Sequence, residues 1–468
     1  MTLNELVRTT DFAAAASALK AAVQGDVVLP SDPTYDRARF AWNVSTQHQP
    51  AVVVMAHSAA DVVAAVRFAR DLNLEIAVQG TGHGISRSVD GAMLINTAQM
   101  KSVRVNTEAQ TAWVEAGMQW GGVLEAAQAV GLAPLLGSSP MVGVVGYTLG
   151  GGMGWLARKY GFAADSVRRF EVVTADGHLL QASESENSDL FWALRGGGGA
   201  FAIVTGMEIQ LYPVSTVYAG NLFYPADSAK QVLQFFRAWT ATMPEEMTSS
   251  IALANFPPLP QIPEPVRGKS VVIVRALYCG DVADGRRYVQ QWLEWQQPMM
   301  NSFDAMSFAN VAAVSNDPVD PMPAFASGAW LKDLSDEAID TLVKFGVSVS
   351  GSSPLVMTEV RHAGGALARG SERLSAIGHR DAPMVLSLIG VAPTAEVRQF
   401  VQGYVDQLKA ELAPHMNGVY MNFLDGKQVG EQTKLAYSPE SYERLIAIKA
   451  KYDPDNVLSY GFNIPTRA

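Results

Sequence analysis

The stretch "AVQGTGHGIS", residues 77–86, surrounds one imidazole, His83, with a backbone that carries few side chains. Glycine is favoured where the chain takes positive φ angles or where another group approaches the backbone closely. Gly80, Gly82 and Gly84 are therefore compatible with two structures. One is an ordinary turn with an incidental histidine, and the other is a loop that holds a ligand against bare amides and presents the ring to it.

The flanking residues place this loop after a β-strand. In "SAADVVAAVRFARDLN" (58–73), apolar residues recur at helical spacing with Ser58 as the N-cap, and "LEIAVQG" (74–80) predicts a short strand. A dinucleotide-binding G-x-G-x-x-G loop would then open a helix, but Ile85 stands at the third glycine and "RSVDGAMLINTAQM" (87–100) predicts turn and strand. The sequence therefore argues against a Rossmann-type loop here.

Two more glycine-rich segments follow. Residues 137–161, "GSSPMVGVVGYTLGGGMGWLARKYG", contain eight glycines, too many for the interior of a helix or strand, and predict a long loop. Loops of that length are uncommon unless they are functional, so a second ligand-holding loop is favoured over a plain connection. A third loop, Gly196–Gly199, lies between a predicted helix and a predicted strand. The three loops together predict a site that surrounds one extended cofactor.

Composition narrows the class of protein. The 468 residues are 48% hydrophobic and 17% charged, which is typical of a compact globular protein. A net charge of -10 argues against a nucleic-acid partner, because such binding depends on clustered Lys and Arg. No signal peptide and no apolar run of about 18 residues is recognised, so a cytoplasmic protein without a membrane partner is expected.

Neither a disulfide nor a metal site is expected. Cys279 is the single cysteine, which excludes an intrachain disulfide and cysteine-based metal sites. The seven histidines show no H-E-x-x-H or similar spacing of ligands.

Residues 214–416 have a different sequence pattern from the glycine-rich part of the chain. They contain long alternating strands such as "KSVVIVRALYCG" (269–280), helical stretches such as "SDEAIDTLVKFGVSV" (335–349), and a proline-rich loop, "FPPLPQIPEP" (256–265). This pattern predicts an inserted second domain.

Six segments in one order resemble the FAD-linked oxidases that include berberine bridge enzyme and 6-hydroxynicotine oxidase, within the vanillyl-alcohol oxidase superfamily. The match runs nearly end to end. The segments are "VVLPSDPTYDRARFAWN" (27–43), "QGTGHGIS" (79–86), "PMVGVVGYTLGGGMGWLARKYGFAAD" (140–165), "LFWALRGGGGAFAIVT" (190–205), "YMNFLDG" (420–426) and "KYDPDNVLSYGFNIP" (451–465).

The resemblance implies an α+β fold with a PCMH-type FAD-binding domain in two parts. Residues 1–213 would form its N-terminal part and residues 417–468 would complete it. Residues 214–416 would form the inserted substrate domain, in which an antiparallel sheet covered by helices roofs the isoalloxazine.

The resemblance also implies that His83 bonds covalently to the 8α-methyl group of FAD. Gln79 and Thr81 depart from the family pattern, in which Arg and Gly are common. Members with two covalent links add a cysteine where Ser139 stands here, so a single link is expected. The implied cofactor-binding residues are Gln79, Gly80, Thr81, Gly82, His83, Gly84, Ser86, Ser139, Val142, Gly143, Gly146, Gly150, Gly151, Gly152, Gly154, Ile203, Val204 and Asn463.

Alternatives stay open for these residues. The glycines could serve simple packing. Val142 stands where the family places a small side chain that controls oxygen access, and valine resembles the oxidase choice, but it could equally be a core valine.

Candidate catalytic residues lie in "VYMNFLDG" (419–426), which resembles a family segment beside the flavin. If it is a strand, Tyr420 and Asn422 share one face and Asp425 need not join them. Tyr420 is the candidate base or substrate anchor, with Asn422 holding flavin or substrate. A core tyrosine is the alternative, since a tyrosine base needs a cationic neighbour to lower its pKa.

"MTEVRHAGGALAR" (357–369) offers a second candidate group. On a strand, Glu359 and Arg361 point to one face and His362 to the other. Over the flavin, Arg361 could lower the pKa of Tyr420 or bind an anionic substrate, and Glu359 could be the base instead. A Glu–Arg pair that merely holds the sheet together is the alternative.

The expected activity is that of an FAD-dependent oxidase. Hydride would pass from a CH–OH or CH–NH carbon of a small organic molecule to the flavin, and O2 would reoxidise the flavin to give H2O2. A dehydrogenase with another acceptor and a flavin-retaining cyclase are the alternatives. The sequence leaves the substrate (sugar, amine, alcohol or polyketide) and the oligomeric state undetermined.

Overall fold

The computed structural model describes residues 3–84, 87–347, 353–370 and 373–466. Within these ranges, helices combine with one mixed and two antiparallel β-sheets, which confirms the expected α+β class. None of the helices in these ranges is both long and apolar enough to cross a membrane.

The strands fall into two groups along the chain, β1–β6 before the second glycine-rich segment and β7–β18 after it. They are β1 (Asp26–Val28), β2 (Val52–Met55), β3 (Ile76–Gln79), β4 (Met93–Asn96), β5 (Val103–Asn106), β6 (Thr111–Glu115), β7 (Val167–Thr174), β8 (Leu179–Ser183), β9 (Ala202–Gln210), β10 (Thr216–Pro225), β11 (Met247–Asn255), β12 (Ser270–Tyr278), β13 (Met300–Asn301), β14 (Asp304–Ser307), β15 (Ala324–Leu331), β16 (Leu355–His362), β17 (Met384–Val391) and β18 (Met416–Gly418).

Helices precede, connect and cover these strands. They are α1 (Leu3–Ala22), α2 (Tyr35–Ala38), α3 (Ala59–Asp71), α4 (Trp120–Gln128), α5 (Val144–Leu149), α6 (Ala157–Tyr160), α7 (Ser188–Leu194), α8 (Ala229–Thr240), α9 (Val282–Trp295), α10 (Ala312–Ser315), α11 (Asp336–Gly346), α12 (Ala366–Arg369), α13 (Ala395–Leu412), α14 (Lys427–Glu431) and α15 (Pro439–Tyr452).

The first sheet places the His83 loop. Its order is β1-β2-β4-β3, antiparallel between β1 and β2 and parallel elsewhere. Helix α3 begins as predicted, because the Ser58 hydroxyl accepts a hydrogen bond from the Asp61 amide at 3.2 Å. Val62 and Val66 of this helix pack in the same core as Val54. The loop leaves the carboxyl end of β3.

The second sheet is antiparallel, with order β5-β6-β9-β7-β8. A hairpin forms between β7 and β8, with Gly177 at a φ of 78° in its turn. Helix α15 and the residues after it pack back onto the N-terminal part of the chain: the buried Lys449 ammonium of α15 donates to the Ala200 carbonyl at 2.9 Å, and the Ile76 amide donates to the Val457 carbonyl at 2.8 Å.

The third sheet is built from strands between residues 216 and 418. Its antiparallel order is β13-β10-β12-β11-β16-β17-β15-β18, and β14 also pairs with β10. Helices α8, α9, α11 and α13 cover one face through buried side chains such as Phe236, Trp292 and Leu342. On the opposite face a Cβ at Gly328 would lie 2.7 Å from the Phe423 side chain, so the segment after β18 approaches the bare backbone there. The division of the chain at residues 213 and 416 stays a prediction.

Two local predictions are wrong. The segment 137–161 is not one long loop, since it contains α5 and α6. Residues 421–423 form a single turn of 3-10 helix and not a strand. Both places contain helices of only three to six residues, which are too short to show a recurrence of apolar residues at helical spacing.

Candidate functional site

A cavity of about 420 Å³ lies where the three glycine-rich loops meet the third sheet and the residues that follow it. This volume is within the usual range for small-molecule sites. Its wall is formed by Ile76, Val78, Gln79, Gly80, Thr81, Gly82, His83, Gly84, Thr97, Ala116, Gly137, Ser138, Val142, Gly143, Val145, Gly146, Tyr147, Leu149, Met153, Gly198, Gly199, Ala202, Ile203, Val204, Arg361, Tyr420, Met421, Asn422, Phe423, Leu424, Leu458, Tyr460, Gly461 and Phe462.

The His83 ring is held in a defined plane. It stacks on Trp42 with ring centres 4.3 Å apart and planes inclined by 12°. Its Nδ1 makes a hydrogen bond with the Thr81 hydroxyl at 2.8 Å, and its Nε2 is buried without a hydrogen-bond partner. Burial lowers the pKa of His83 to about 4, so the imidazole is neutral at physiological pH.

Tyr420 is the central polar group on the sheet side of the cavity. Its oxygen accepts from the Gly152 amide at 3.0 Å and from the Asn422 side-chain amide at 3.4 Å. Asn422 also donates to the Tyr147 carbonyl at 2.9 Å. Burial raises the pKa of Tyr420 to about 12, and the donors Asn422 and Gly152, followed by the nearby Arg361 charge, lower it in part.

Glu359 and Arg361 point to one face of β16, as predicted. Arg361 Nε donates to one Glu359 oxygen at 2.7 Å, and Arg275 and the Ser250 hydroxyl donate to the other at 3.1 and 2.7 Å. Burial opposes ionisation of Glu359, but the two guanidinium groups and the Ser250 hydroxyl outweigh it and lower its pKa to about 2. Arg361 lines the cavity, whereas Glu359 lies behind it.

Sequence profiles of two families match the parts of the chain that build the cavity. The profile described as FAD binding domain matches residues 50–183, and the profile described as berberine and berberine like matches residues 419–465. The (R)-6-hydroxynicotine oxidase of Paenarthrobacter nicotinovorans is 27% identical over 453 residues, which are 94% of this chain and 97% of that protein.

Solved structures give the same result. The crystal structure of 6-hydroxy-D-nicotine oxidase from Arthrobacter nicotinovorans is 26% identical and has a TM-score of 0.82, covering 95% of this chain and 98% of that one. The glucooligosaccharide oxidase of Acremonium strictum, described with a 6-S-cysteinyl, 8α-N1-histidyl FAD, is 24% identical and has a TM-score of 0.81, covering 96% of this chain and 98% of that one. The chain therefore carries an FAD binding domain and a berberine-like segment, and over nearly its whole length it is similar to FAD-linked oxidases, which confirms the expected FAD-linked oxidoreductase.

The cavity itself fits FAD. A Cβ added at Gly84 or Gly146 would meet no atom within 4 Å, so the wall leaves room beside the backbone. Within the described part of the chain, three wall residues carry buried polar atoms without a hydrogen-bond partner, namely Gln79 Oε1, His83 Nε2 and the Tyr147 hydroxyl. Buried polar groups are usually satisfied, so these atoms point to a polar ligand that the folded chain alone does not supply.

Most residues predicted to bind FAD do lie in the cavity wall. The structure places there Gln79, Gly80, Thr81, Gly82, His83, Gly84, Val142, Gly143, Gly146, Ile203 and Val204. Ser86 lies outside the described residues. The Gln79 side chain also holds the backbone nearby, because its amide nitrogen donates to the Phe40 carbonyl at 2.7 Å.

Six predicted residues lie outside the wall, and close packing or a positive φ angle accounts for the four glycines among them. A Cβ at Gly150 would lie 1.9 Å from Asn422 Oδ1, one at Gly152 would lie 2.4 Å from the Tyr147 ring, and one at Gly154 would lie 1.8 Å from the Leu136 carbonyl. Gly151 and Gly152 also take φ angles of 107° and 79°. The other residues outside the wall are Ser139 and Asn463.

Ser139 and Asn463 bond to neighbouring backbone. The Ser139 hydroxyl accepts from the Met141 amide at 3.2 Å, and the Asn463 side-chain amide donates to the Gly430 carbonyl at 3.4 Å. Both bonds brace the loops behind the wall.

Two other polar residues lie away from the cavity. Asp425 pairs with Arg398 at 2.7 Å and so does not join Tyr420 and Asn422. Arg158 donates to His362 Nε2 at 2.9 Å on the opposite face of β16. Among the described residues, no group of three or more His, Cys, Asp and Glu side chains could hold a metal ion.

Sequence reasoning missed Tyr147 and Trp42. The Tyr147 ring occupies a slot between glycines, since a Cβ at Gly137 would lie 2.8 Å from it and one at Gly152 even closer. A large side chain inside a run of glycines was the available signal. Trp42 is part of a quoted family segment, but nothing in its spacing indicates that it stacks on His83.

The buried charge cluster of Glu359, Arg275 and Arg361 makes a testable contribution to the free energy of unfolding. Glu359→Gln leaves the buried Arg275 and the partly buried Arg361 without their shared counter-ion and is expected to lower the free energy of unfolding by about 3–5 kcal/mol. Glu208→Gln removes a surface pair with Arg169 and should cost less than about 1 kcal/mol. Urea-induced unfolding of both variants measures the difference, and equal losses would contradict it.

Proposed function

We propose that this protein is an oxidase of small alcohols or amines. In the overall reaction a secondary alcohol and O2 give a ketone and H2O2, or an amine and O2 give an imine and H2O2. FAD supplies the chemistry of hydride acceptance from carbon and of electron transfer to O2 when it is bound. The observation that carries the proposal is the Tyr420 hydroxyl in the cavity wall, held by the Gly152 amide and Asn422 beside a guanidinium group.

The glycine-rich loops are the proposed FAD-binding surface. Gly80, Gly82 and Gly84 offer amides from the first loop, Gly143 and Gly146 from the second, and Gly199 from the third, where the Gly198 amide already donates to the Leu149 carbonyl at 3.0 Å. Backbone amides free of side chains allow close approach of a phosphate-bearing ligand. Ile203 and Val204 supply apolar wall after the third loop.

His83 is the proposed point of covalent attachment, through a single link. Its ring is neutral, is held by Trp42 and Thr81, and keeps a nitrogen without a partner. Support also comes from the histidyl FAD described for the glucooligosaccharide oxidase. A second, cysteinyl link has no candidate, because the single cysteine, Cys279, lies outside the cavity wall.

Tyr420 is the proposed proton acceptor for the substrate O–H or N–H. The two donors on its oxygen stabilise the phenolate form, and they orient the hydroxyl before substrate arrives. Glu359 is a poor base by comparison. Two guanidinium groups and a hydroxyl already occupy its oxygens, and its pKa of about 2 makes it a weak acceptor.

Val142 is the proposed contact for O2. It lines the cavity from the second loop, and its carbonyl accepts from the Trp120 amide at 3.0 Å, which holds the loop in place. An apolar side chain at this point can contact O2, itself a small apolar molecule, without adding a polar group that would hold water there instead.

The first experiment is a peroxide assay on the purified yellow protein with a panel of sugars, alcohols and secondary amines in air. Release of one H2O2 per O2 consumed with at least one class of substrate is expected. Reduction of an artificial dye without peroxide would identify a dehydrogenase and overturn the oxidase assignment. Redox-neutral conversion of a substrate without O2 uptake would identify a cyclase instead.

A further inference from the structure

Arg361 carries a positive charge on the cavity wall that its neighbours balance incompletely. Its Nε donates to Glu359, and Glu359 is shared with a second cation, Arg275. Two guanidinium groups therefore face one carboxylate. Asp317 is the other carboxylate whose field reaches Arg361, but the two groups form no ion pair in the described part of the chain.

The terminal nitrogens of Arg361 are the part of the side chain that stays free. Within the described residues its bonding is limited to the Nε contact with Glu359 and a stacking contact with the Phe423 ring at 5.3 Å. The side chain keeps 20% of its surface accessible, while that of Glu359 keeps 2%. A guanidinium group held this way presents two parallel N–H donors, the arrangement that matches a carboxylate.

The neighbours of Arg361 place it at the substrate end of the cavity. It shares the wall with Tyr420, Asn422 and Phe423, all on the sheet side, whereas His83 and the bare glycines form the loop side. A buried cation beside an apolar wall is unfavourable unless an anion neutralises it. Arg275 cannot bind an anion in the cavity, because it also donates to the Ser315 carbonyl at 3.4 Å and lies outside the wall.

We propose that the substrate of this enzyme carries a carboxylate, and that Arg361 binds it through its terminal nitrogens while Tyr420 and Asn422 face the carbon that is oxidised. This inference rests on the proposed oxidase function and names the substrate class of the same site. A carboxylate lying about 2.7–2.9 Å from the guanidinium would complete the charge balance around Glu359.

Binding to the purified holoenzyme tests the proposal without turnover. Benzoate, phenylacetate and indole-3-acetate are titrated in parallel with their neutral carboxamides, using the change in visible absorption of the bound flavin and isothermal titration calorimetry. At least one carboxylate is expected to bind about tenfold or more tightly than its carboxamide, because only the carboxylate pairs with the guanidinium. Equal affinity for acid and amide, or no binding of any acid, would overturn the proposal.

Variants assign the effect to Arg361. Arg361→Gln should weaken binding of the preferred acid about tenfold to hundredfold, and Arg361→Lys should give an intermediate loss, because lysine keeps the charge without the paired donors. Arg168→Gln, at an exposed arginine that bonds Gln210, is the matched control and should bind normally. Should Arg361→Gln fail to fold, the Lys variant and the acid–amide comparison still decide.

Two further outcomes separate this proposal from its alternatives. Loss of flavin from Arg361→Gln with unchanged acid affinity would place Arg361 at the cofactor and sink the substrate assignment. Arg361-dependent acid binding in an enzyme that never forms peroxide would sink the oxidase function while leaving the carboxylate site intact.

Discussion

His83→Ala is expected to release the flavin from the acid-precipitated protein, whereas the wild-type pellet stays yellow. The reason is geometric. His83 is the imidazole of the cavity wall, its ring is stacked on Trp42, and its Nε2 is buried without a partner. Absorbance of pellet and supernatant after precipitation, together with fluorescence of the denatured protein on a gel, measures the covalent fraction.

The control for this result is His57→Ala, which removes an exposed imidazole that does not line the cavity and should keep the pellet yellow. Thr81→Val adds a second comparison, since it removes the hydroxyl that bonds Nδ1 and is expected to slow attachment without abolishing it. Release of flavin from the wild type would contradict the covalent assignment while leaving the FAD site in place.

The sequence predicted the location of the site better than the role of each residue. His83 and the glycines on either side of it line the cavity, because a loop that carries one functional side chain among glycines has few other uses. The glycines at 150, 152 and 154 were expected beside the cofactor, but they make room for Asn422, Tyr147 and the Leu136 carbonyl. The spacing of residues along the chain does not reveal which segments distant in sequence pack closely together.

The charge cluster also shows that sequence spacing does not predict contacts between distant segments. Alternation along β16 correctly placed Glu359 and Arg361 on one face, yet it could not reveal Arg275, which comes from β12 two strands away across β11. That third group changes the charge balance, because together with Arg361 it holds Glu359 as a carboxylate, and two guanidinium groups then share one carboxylate. Likewise, Tyr420 and Asn422 meet through a 3-10 turn, although a strand was expected to bring them together.

Tyr420→Phe is expected to lower kcat/KM by about 10²–10⁴-fold, the usual contribution of a positioned general base. The substitution keeps the ring that packs against Trp330, Phe162 and Phe423, so the fold and flavin content should be retained. The rate of anaerobic flavin bleaching, with a substrate found in the peroxide screen, measures the loss. Tyr224→Phe is the matched control, because Tyr224 on β10 is fully buried in the core beneath the covering helices and does not line the cavity.

The pH dependence distinguishes a base from an anchor. With a pKa of about 12, Tyr420 is protonated at neutral pH, and the phenolate fraction grows about tenfold with each unit of pH below that value. The bleaching rate of the wild type should therefore rise from about pH 7 to about pH 10, and Tyr420→Phe should flatten this rise. A variant that raises KM but keeps kcat and the slope would mark Tyr420 as a substrate anchor. In that case the proton acceptor must be another group, and the unpartnered hydroxyl of Tyr147 would be the next residue to replace.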